Sequence, residues 1–465
     1  WQRLQARAAT FWERRDREIL ALAAGAALPL AFAPFDWWPL AVLCPALLMY
    51  LLGSLGARRA ALVGGAFGAG YFGAGTWWLY ISVHTVGGAP VLLAVLLILL
   101  LVALMASYYA LLGALSAWLL PRSGPWRWYF GLPALWLLIE WFRGWFVTGF
   151  PWMSLGYSQT ETVLGAWAPV VGVYGLSALL LLQAGALLDF VEAEGPARIP
   201  AVLLLVLVWG SALWARDGQW TLAEGPPVSV AVVQGAVPQD EKWLASHRES
   251  TRVLYQRLNS QAIGARVVAW PEAALPELAN LIPDYLAEIQ SAARGRHTDL
   301  LMGVLRADES TDRIYNSVMA LTAGVAFYDK QHLVPFAEYF PVPAFVRGWL
   351  KILDLPYEDL AAGVRDQPPL RAGGLLWAAS ICYDDAYPQT LREAAGRAEA
   401  LVSVTNDAWF GTSPARYQHL QISRMLAMVS GRYLVRAGND GVSAIIGSID
   451  HVTDLRFEPR ELADR

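Results

Sequence analysis

The chain has 465 residues, of which 56% are hydrophobic and only 16% are charged, and its formal net charge is −4. Average soluble domains carry about 25% charged residues, so this composition excludes an ordinary soluble protein and a disordered one. The small negative charge also excludes the basic field that a nucleic acid attracts, and we expect no nucleic-acid partner.

Apolar runs long enough to cross a bilayer occupy the first 217 residues and are absent from the rest. A membrane helix needs about 20 such residues. Residues 1–217 are therefore predicted to form a polytopic α-helical membrane domain, and 218–465 a second domain. The seven predicted spans cover 19–35, 37–54, 60–82, 88–120, 128–142, 166–189 and 200–216. The stretch 143–166, rich in glycine and aromatic residues, is predicted to be irregular.

Arginines are concentrated in the loops on one predicted side of the membrane. Loops around 35–37 and 82–89, on the other side, contain no lysine or arginine. Cytoplasmic loops carry the positive charge, so we place the N-terminus in the cytoplasm and, after seven crossings, the second domain outside. The arginines that carry this prediction are Arg3, Arg7, Arg14, Arg15, Arg17, Arg58, Arg59, Arg122 and Arg127.

Three residues of the membrane half leave questions open. Glu140 and Arg143, near the end of the fifth predicted span, either form a structural couple or line a polar cavity. Cys44 lies in an apolar run and is expected to be a buried membrane residue. The half as a whole can be read as a plain anchor.

Short β-branched runs alternate with helical stretches beyond residue 226, which predicts an α/β layer domain. The runs are hydrophobic almost throughout, as expected for sheets that are covered on both faces. The predicted strands are 228–233, 266–270, 299–304, 317–321, 376–381, 400–404 and 442–446.

Glu272, Lys330 and Cys382 lie just beyond such strands, after the runs 266–270, 325–328 and 376–381 respectively. Ligands bind at strand ends in α/β sheets, so the three side chains are predicted to converge. Together they suit acyl transfer, with a thiol nucleophile, a carboxylate base and an ammonium that stabilises an oxyanion. Taken singly, each has a plain alternative: a surface carboxylate, a solvated lysine or a buried thiol.

His332 and His419 raise the possibilities of a Cys-His protease and a metal site. No HExxH motif or similarly spaced ligand cluster is present, and the glycine-rich stretches lack the strand–loop–helix context that binds phosphate. We therefore expect no metal and no cofactor, and we interpret His419 as a capping or packing residue.

Several runs beyond residue 230 carry a family resemblance. The chain resembles the nitrilase (carbon-nitrogen hydrolase) superfamily with its Glu-Lys-Cys triad and, together with the preceding spans, its membrane branch, the apolipoprotein N-acyltransferase family. The matching runs are Val232–Gly235, Lys242-Trp243, Trp270-Pro271-Glu272, Tyr315-Asn316-Ser317, Tyr328–Glu338, Ile381-Cys382-Tyr383, Asn406–Gly411, Gln418–Gln421 and Arg436–Gly441.

The resemblance implies a nitrilase-like αββα sandwich domain on the periplasmic side of the bacterial inner membrane, mounted on an eight-helix membrane domain. It also implies a two-step reaction without a cofactor. Cys382 takes an acyl chain from a phospholipid, typically the sn-1 chain of phosphatidylethanolamine, and forms a thioester. The thioester then acylates the α-amino group of the diacylglyceryl-cysteine of an apolipoprotein. We expect a monomer.

By the same resemblance Glu272 is the base, Lys330 stabilises the oxyanion and Glu338 supports the site as a second carboxylate. Further residues fall where the family has site-supporting side chains: Trp243, Asn316 and Tyr383. Trp409 and Phe410, adjacent on a predicted loop, either contact acyl chains or pack under the active site.

Two features depart from the family pattern. Asp384 stands where a glutamate usually follows Cys-Tyr, and its shorter side chain puts the hydrogen bonds of that position in question. The family also ends with a further membrane span, which a chain ending at Arg465 does not contain, so we expect a last span to be missing from this sequence.

Two other functions stay open at this point. A membrane-tethered nitrilase-like amidase, with water as the second nucleophile, requires the same triad. A transporter or binding protein with an inactive outer domain would need a polar pathway through the spans, where few charges occur.

Overall fold

The computed structural model describes residues 16–218, 220–222, 225–339 and 359–447. The arginines from Arg3 to Arg15, which contribute to the predicted orientation, and the chain from residue 448 to Arg465 lie outside these residues. The chain divides into two compact units. One holds the residues up to Gln219 together with Phe410–Gln421, and the other holds the rest.

The first unit is helical. Within the described residues, three helical stretches are long and apolar enough to span a membrane: Val91–Leu119, Val163–Glu192 and Gly195–Arg216. The other helices are shorter or less apolar, and the count of seven crossings stays a prediction. The helices are 16–27 (α1), Leu40–Leu51 (α2), Ala57–Gly75 (α3), Val91–Leu119 (α4), Leu132–Arg143 (α5), Ala168–Glu192 (α6) and Ile199–Arg216 (α7).

Glu140 and Arg143 are buried at the end of α5 and organise the segment that follows it. The Arg143 guanidinium donates to the carbonyl oxygens of Phe150 and Trp152, at 2.5 and 2.9 Å, and lies 3.8 Å from the Glu140 carboxylate. Glu140 Oε1 in turn accepts from the Leu155 amide at 2.7 Å. These bonds favour the structural couple, because the pair supplies partners to the irregular backbone that the sequence predicted here.

Phe410–Gln421 is the stretch of later sequence that belongs to the helical unit. The Phe410 ring lies 5.0 Å from the Trp78 ring, centroid to centroid. Trp152 Nε1 donates to Gln418 Oε1 at 2.8 Å. His419 is buried with its ring 5.7 Å from that of Trp152, as expected of a packing residue.

The second unit contains two five-stranded sheets. One has the order β1-β2-β3-β4-β5, and the other β10-β9-β8-β7-β6. Strands β1 to β3 and β7 to β9 are parallel, while β4, β5, β6 and β10 join antiparallel. The strands are Val230–Val232, Val267–Trp270, Asp299–Asp308, Arg313–Leu321, Val325–Asp329, Leu370–Ala372, Leu375–Ile381, Ala400–Thr405, Leu434–Gly438 and Ala444–Ile446, numbered β1 to β10.

Alternation along the strands sends side chains to two cores. Val267 and Ala269 of β2 face a core between the sheets, which they share with Trp377 and Ile381 of β7. Trp270, on the opposite face of β2, lies in a core with the first sheet's outer helices. The helices of this unit are Gln239–Lys242 (α8), Arg248–Ala262 (α9), Pro283–Arg294 (α10), Pro388–Arg397 (α11) and Ala415–Ser430 (α12), whose first turns group with the helical unit.

Helices α9 and α10 cover the first sheet and α11 packs on β7 of the second, so the predicted αββα sandwich is confirmed. Two strands are additional to those predicted. β6 has only three residues with an arginine in the middle, and β9 contains Arg436 and ends in Gly438. A central arginine is not typical of a buried strand, which is why hydropathy does not reveal β9.

Gly303, in the middle of β3, allows the turn after β2 to pass at van der Waals distance. A Cβ atom there would lie 2.2 Å from the carbonyl oxygen of Pro271 and 2.6 Å from Cα of Glu272. The Ala274 amide donates to the Gly303 carbonyl oxygen at 3.0 Å, which fixes the turn on this strand. The position of Glu272 therefore depends on residue 303 being a glycine, which has no side chain.

We predict that Gly303→Ala lowers the free energy of unfolding by about 1–3 kcal/mol, because the added methyl overpacks against backbone that cannot yield. Thermal unfolding of the detergent-solubilised protein measures the change. Gly324→Ala, in the turn between β4 and β5 with open space around the new methyl, is the matched control. Equal melting temperatures for the two variants would contradict the prediction.

Candidate active site

Glu272 follows β2 and is buried, with 8% of its surface exposed. Its Oε1 accepts from the Asn316 side-chain amide at 2.8 Å. Its backbone carbonyl oxygen accepts from Lys242 Nζ at 3.2 Å. The carboxylate therefore has a fixed direction before any substrate is bound.

Lys330 follows β5 and is almost completely buried. Its Nζ lies 2.8 Å from Glu338 Oε1 and 3.5 Å from Glu272 Oε1. Burial alone lowers the pKa of Lys330, but the carboxylates of Glu338 and Glu272 more than offset it, and the pKa is raised above its ordinary value. The side chain is thus a permanent ammonium at neutral pH.

Asn316 connects the two carboxylates. Its Nδ2 donates to Glu272 Oε1 at 2.8 Å and to Glu338 Oε1 at 3.1 Å. Glu338 Oε2 accepts from the Val334 amide at 2.7 Å, which closes the loop after Lys330 onto the same carboxylate. Four side chains from three segments, following β2, within β4 and following β5, form one hydrogen-bonded network.

Cys382 begins the turn Cys382–Ala386 directly after β7, and its backbone is left-handed with φ of 51°. That conformation costs about 1–3 kcal/mol for a residue other than glycine and is typical of functional sites. Burial raises the pKa of the thiol well above 9, Glu272 raises it further and Lys330 lowers it. The thiol lies within range of both charges, and it is protonated at neutral pH.

Asp384 reaches its partners despite being shorter than the usual glutamate. Its Oδ1 accepts from the His332 amide at 2.8 Å, and its Oδ2 accepts from the Tyr328 hydroxyl at 3.0 Å. Burial, followed by the Asp384 charge, raises the pKa of Tyr328 well above 10, so the hydroxyl remains a donor. This fully buried carboxylate joins the turn of Cys382 to the segment of Lys330.

The remaining predicted site residues lie around this network. Trp243 is 46% exposed beside the buried Lys242, whose Nζ is 5.8 Å from the indole centroid. Tyr383 is the residue after Cys382, and its hydroxyl accepts from that of Tyr387 at 3.2 Å. Trp409 is half-buried, and Phe410 packs on aromatic rings of the helical unit, which favours the packing alternative for Phe410.

Among the described residues, no three histidine, cysteine or acidic side chains are arranged to hold a metal ion. The Cys382 thiol, within range of the Glu272 and Lys330 charges, suits attack on a carbonyl carbon with a carboxylate as proton acceptor.

Lys242 is a site residue that sequence reasoning did not single out. Its ammonium is 1% exposed and points at the backbone of Glu272. The sequence signal for this position is its place beside Trp243 in the Lys-Trp pair that matches the family. Burial lowers the pKa of Lys242 to about 8, with Glu272 acting in the opposite direction.

We predict that Lys242 makes stability depend on pH. Between pH 8 and 10.5 the unfolded lysine holds a proton that the folded one has lost, so stability rises with pH in this window. Relative to Lys242→Met, the native protein should gain about 2 kcal/mol of unfolding free energy between pH 7 and pH 9.5. Melting temperatures at both pH values test this, and a pH-independent difference between the proteins would contradict it.

Comparison with known proteins gives the family. Residues 24–186 match the apolipoprotein N-acyltransferase N-terminal domain, and residues 229–453 match the carbon-nitrogen hydrolase family. A solved CN-hydrolase superfamily protein from Xanthomonas campestris has 19% identity and a TM-score of 0.36, over 50% of this chain and 86% of its own.

Two full-length relatives are similar along nearly the whole chain. The apolipoprotein N-acyltransferase of Pseudomonas putida is 41% identical, over 94% of this chain and 87% of its own. That of Azotobacter vinelandii is 42% identical, over 94% and 86%. These relatives confirm the resemblance, and the chain belongs to the apolipoprotein N-acyltransferase family.

Proposed function

We propose that this protein is a membrane acyltransferase that moves an acyl chain from a phospholipid to the α-amino group of the diacylglyceryl-cysteine of an apolipoprotein. The observation that carries the proposal is the buried Lys330 ammonium, held 2.8 Å from Glu338 and 3.5 Å from Glu272 and acting on the Cys382 thiol. The family relationship and the long apolar helices support a lipid substrate.

In the first step Glu272 accepts the thiol proton while the sulfur of Cys382 attacks the ester carbonyl carbon of the donor. The protonated thiol requires this base, because burial keeps its pKa well above 9. Lys330 stabilises the negative charge that develops on the carbonyl oxygen. The ester C–O bond then breaks, Glu272 returns the proton to the leaving alcohol, and a lysophospholipid departs from the thioester.

In the second step the acceptor amine attacks the thioester carbonyl. Glu272 accepts a proton from the nitrogen, the C–S bond breaks, and the sulfur recovers a proton as the amide forms. Glu338 and Asn316 keep Lys330 and Glu272 in place throughout. Exclusion of water from the thioester favours the amine over hydrolysis. We infer phosphatidylethanolamine as the donor, with its sn-1 chain transferred, and a monomeric enzyme.

The thioester can be observed directly. We predict that intact-mass spectrometry of the purified protein with phosphatidylethanolamine and no acceptor shows one added acyl mass, discharged by a diacylglyceryl-cysteine peptide. Cys382→Ala should show none, whereas Cys44→Ala, the matched control at the other cysteine, should keep the adduct. Glu272→Gln should slow acylation by about 10²-fold or more, because the base is lost.

A folded protein without an adduct would refute the lipid-donor mechanism. Discharge by water alone, with no peptide product, would favour an amidase.

We further propose that the protein is a multi-pass protein of the inner membrane with the catalytic unit on the periplasmic side, on the strength of the arginine-rich loops on one predicted side. Alkaline phosphatase, which is active only after export, should be active when fused after residue 218 and inactive when fused after residue 56. The reverse pattern would contradict the orientation.

A further inference from the structure

A second buried charged cluster lies beside the nucleophile and takes no part in the reaction described above. Arg436 of β9, Asp385 and Asp407 are each at most 1% exposed. Arg436 Nη2 lies 2.7 Å from Asp407 Oδ2, and Nη1 lies 3.4 Å from Asp385 Oδ2. One buried guanidinium thus forms ion pairs with two buried carboxylates.

Hydroxyl groups complete the cluster. Asp385 accepts from the hydroxyls of Ser380, Ser403 and Ser423, at 2.5, 2.8 and 2.5 Å. Arg436 also donates to Ser423 Oγ at 2.6 Å and, through Nε, to the carbonyl oxygen of Val442 at 3.1 Å. A buried polar cluster with this many partners is rigid.

The cluster connects two turns that matter to the site. Asp385 lies three residues after Cys382 in the same turn, and Asp407 follows β8 in the turn that leads to Trp409. Because β9 pairs with β8 and β8 with β7, the side chain of Arg436 bridges the carboxyl ends of these strands. Gly441 closes over Asp407, since a Cβ there would lie 2.7 Å from its carboxylate.

We propose that Arg436 is a positioning residue for acyl transfer: by holding Asp385 and Asp407 together it fixes the turn that carries Cys382 and leaves one net negative charge behind the nucleophile. The inference rests on the proposed function in taking Cys382 as the nucleophile. The inference about Arg436 extends the proposed function, because it gives a role to residues that touch neither the substrate nor the reacting atoms.

The net charge of the cluster makes the proposal testable, because removing Asp407 and removing Arg436 change that charge in opposite directions. The charged groups that act on the thiol include Glu272, Lys330, Asp407 and Glu338. The Asp407 charge raises the pKa of Cys382, and Arg436 lies 2.7 Å from that carboxylate. Counting one guanidinium and two carboxylates, the cluster carries −1. Asp407→Asn changes this to 0, Arg436→Met to −2, and the double variant restores −1 without restoring the bridge.

The experiment measures alkylation of Cys382 by iodoacetamide at pH 8.5, in a Cys44→Ala background where Cys382 is the sole cysteine. Below the pKa the rate follows the thiolate fraction, and one unit of pKa is a tenfold change. We expect Asp407→Asn to react about tenfold faster, Arg436→Met about tenfold slower, and the double variant at close to the parental rate. Rates that change in the same direction in both single variants would overturn the proposal.

Acylation of Cys382 by phosphatidylethanolamine then separates the effect of Arg436 on the position of Cys382 from the effect of the cluster's charge on its thiol. The double variant should alkylate normally yet acylate at least about tenfold more slowly at saturating donor, with KM little changed, whereas normal acylation would refute the positioning role. Arg252→Met, which breaks the 2.6 Å ion pair with Glu277 elsewhere in the unit, is the matched control and should change neither rate.

Melting temperatures check folding, and if Arg436→Met does not fold, Asp407→Asn alone decides, with an unchanged or slower alkylation refuting the proposal. Because alkylation needs no lipid, its failure counts against this inference only. Absence of an acyl adduct on the parental protein counts against the proposed function instead.

Discussion

A buried ammonium between two carboxylates is the constraint on which the site depends. Taking an unpaired charge out of water costs several kcal/mol, so Lys330 is stable in its position only because Glu338 and Glu272 lie beside it. Those carboxylates would repel each other without the ammonium and the Asn316 amide. Each group therefore requires the others, and the ends of β2 and β5 have to meet the middle of β4.

In the proposed mechanism, the same burial keeps the Cys382 thiol unreactive before substrate binds. A half-buried thiol near carboxylates holds its proton, and general-base removal has to coincide with attack. The left-handed backbone at Cys382 is held by Asp384 and Asp385, whose partners belong to different strands. Two successive short carboxylates thus fix one turn from two sides, and the aspartate at 384 makes both of its bonds with the shorter side chain.

Sequence patterns predict the parts of this molecule that follow from hydropathy and strand ends. Glu272, Lys330 and Cys382 follow hydrophobic runs, and the rule for ligand positions in α/β sheets places each of them at a strand end. That the strand ends of two different sheets meet is seen only in the structure. Asn316 and Glu338 could be assigned only through the family resemblance, since an amide inside a strand and a glutamate on a loop have no distinctive pattern.

Lys242 and Arg436 escape sequence reasoning for a physical reason. A buried cation and a solvated one look alike in a sequence, because burial is decided by partners far along the chain: the carbonyl of Glu272 for one, and Asp385 and Asp407 for the other. Phe410–Gln421 likewise gives no sign that its partners are Trp78 and Trp152.

That segment has a consequence for how the molecule can be divided. The covalent boundary near residue 219 is not a boundary of packing, because Phe410–Gln421 belongs with the helices although it lies between β8 and the end of α12. A fragment starting at Trp220 would keep every residue of the Glu-Lys-Cys network but leave a dozen residues in its interior without the aromatic and amide groups that hold them. In such a fragment Phe410 would lose the ring of Trp78 and Gln418 the indole N–H of Trp152 as partners.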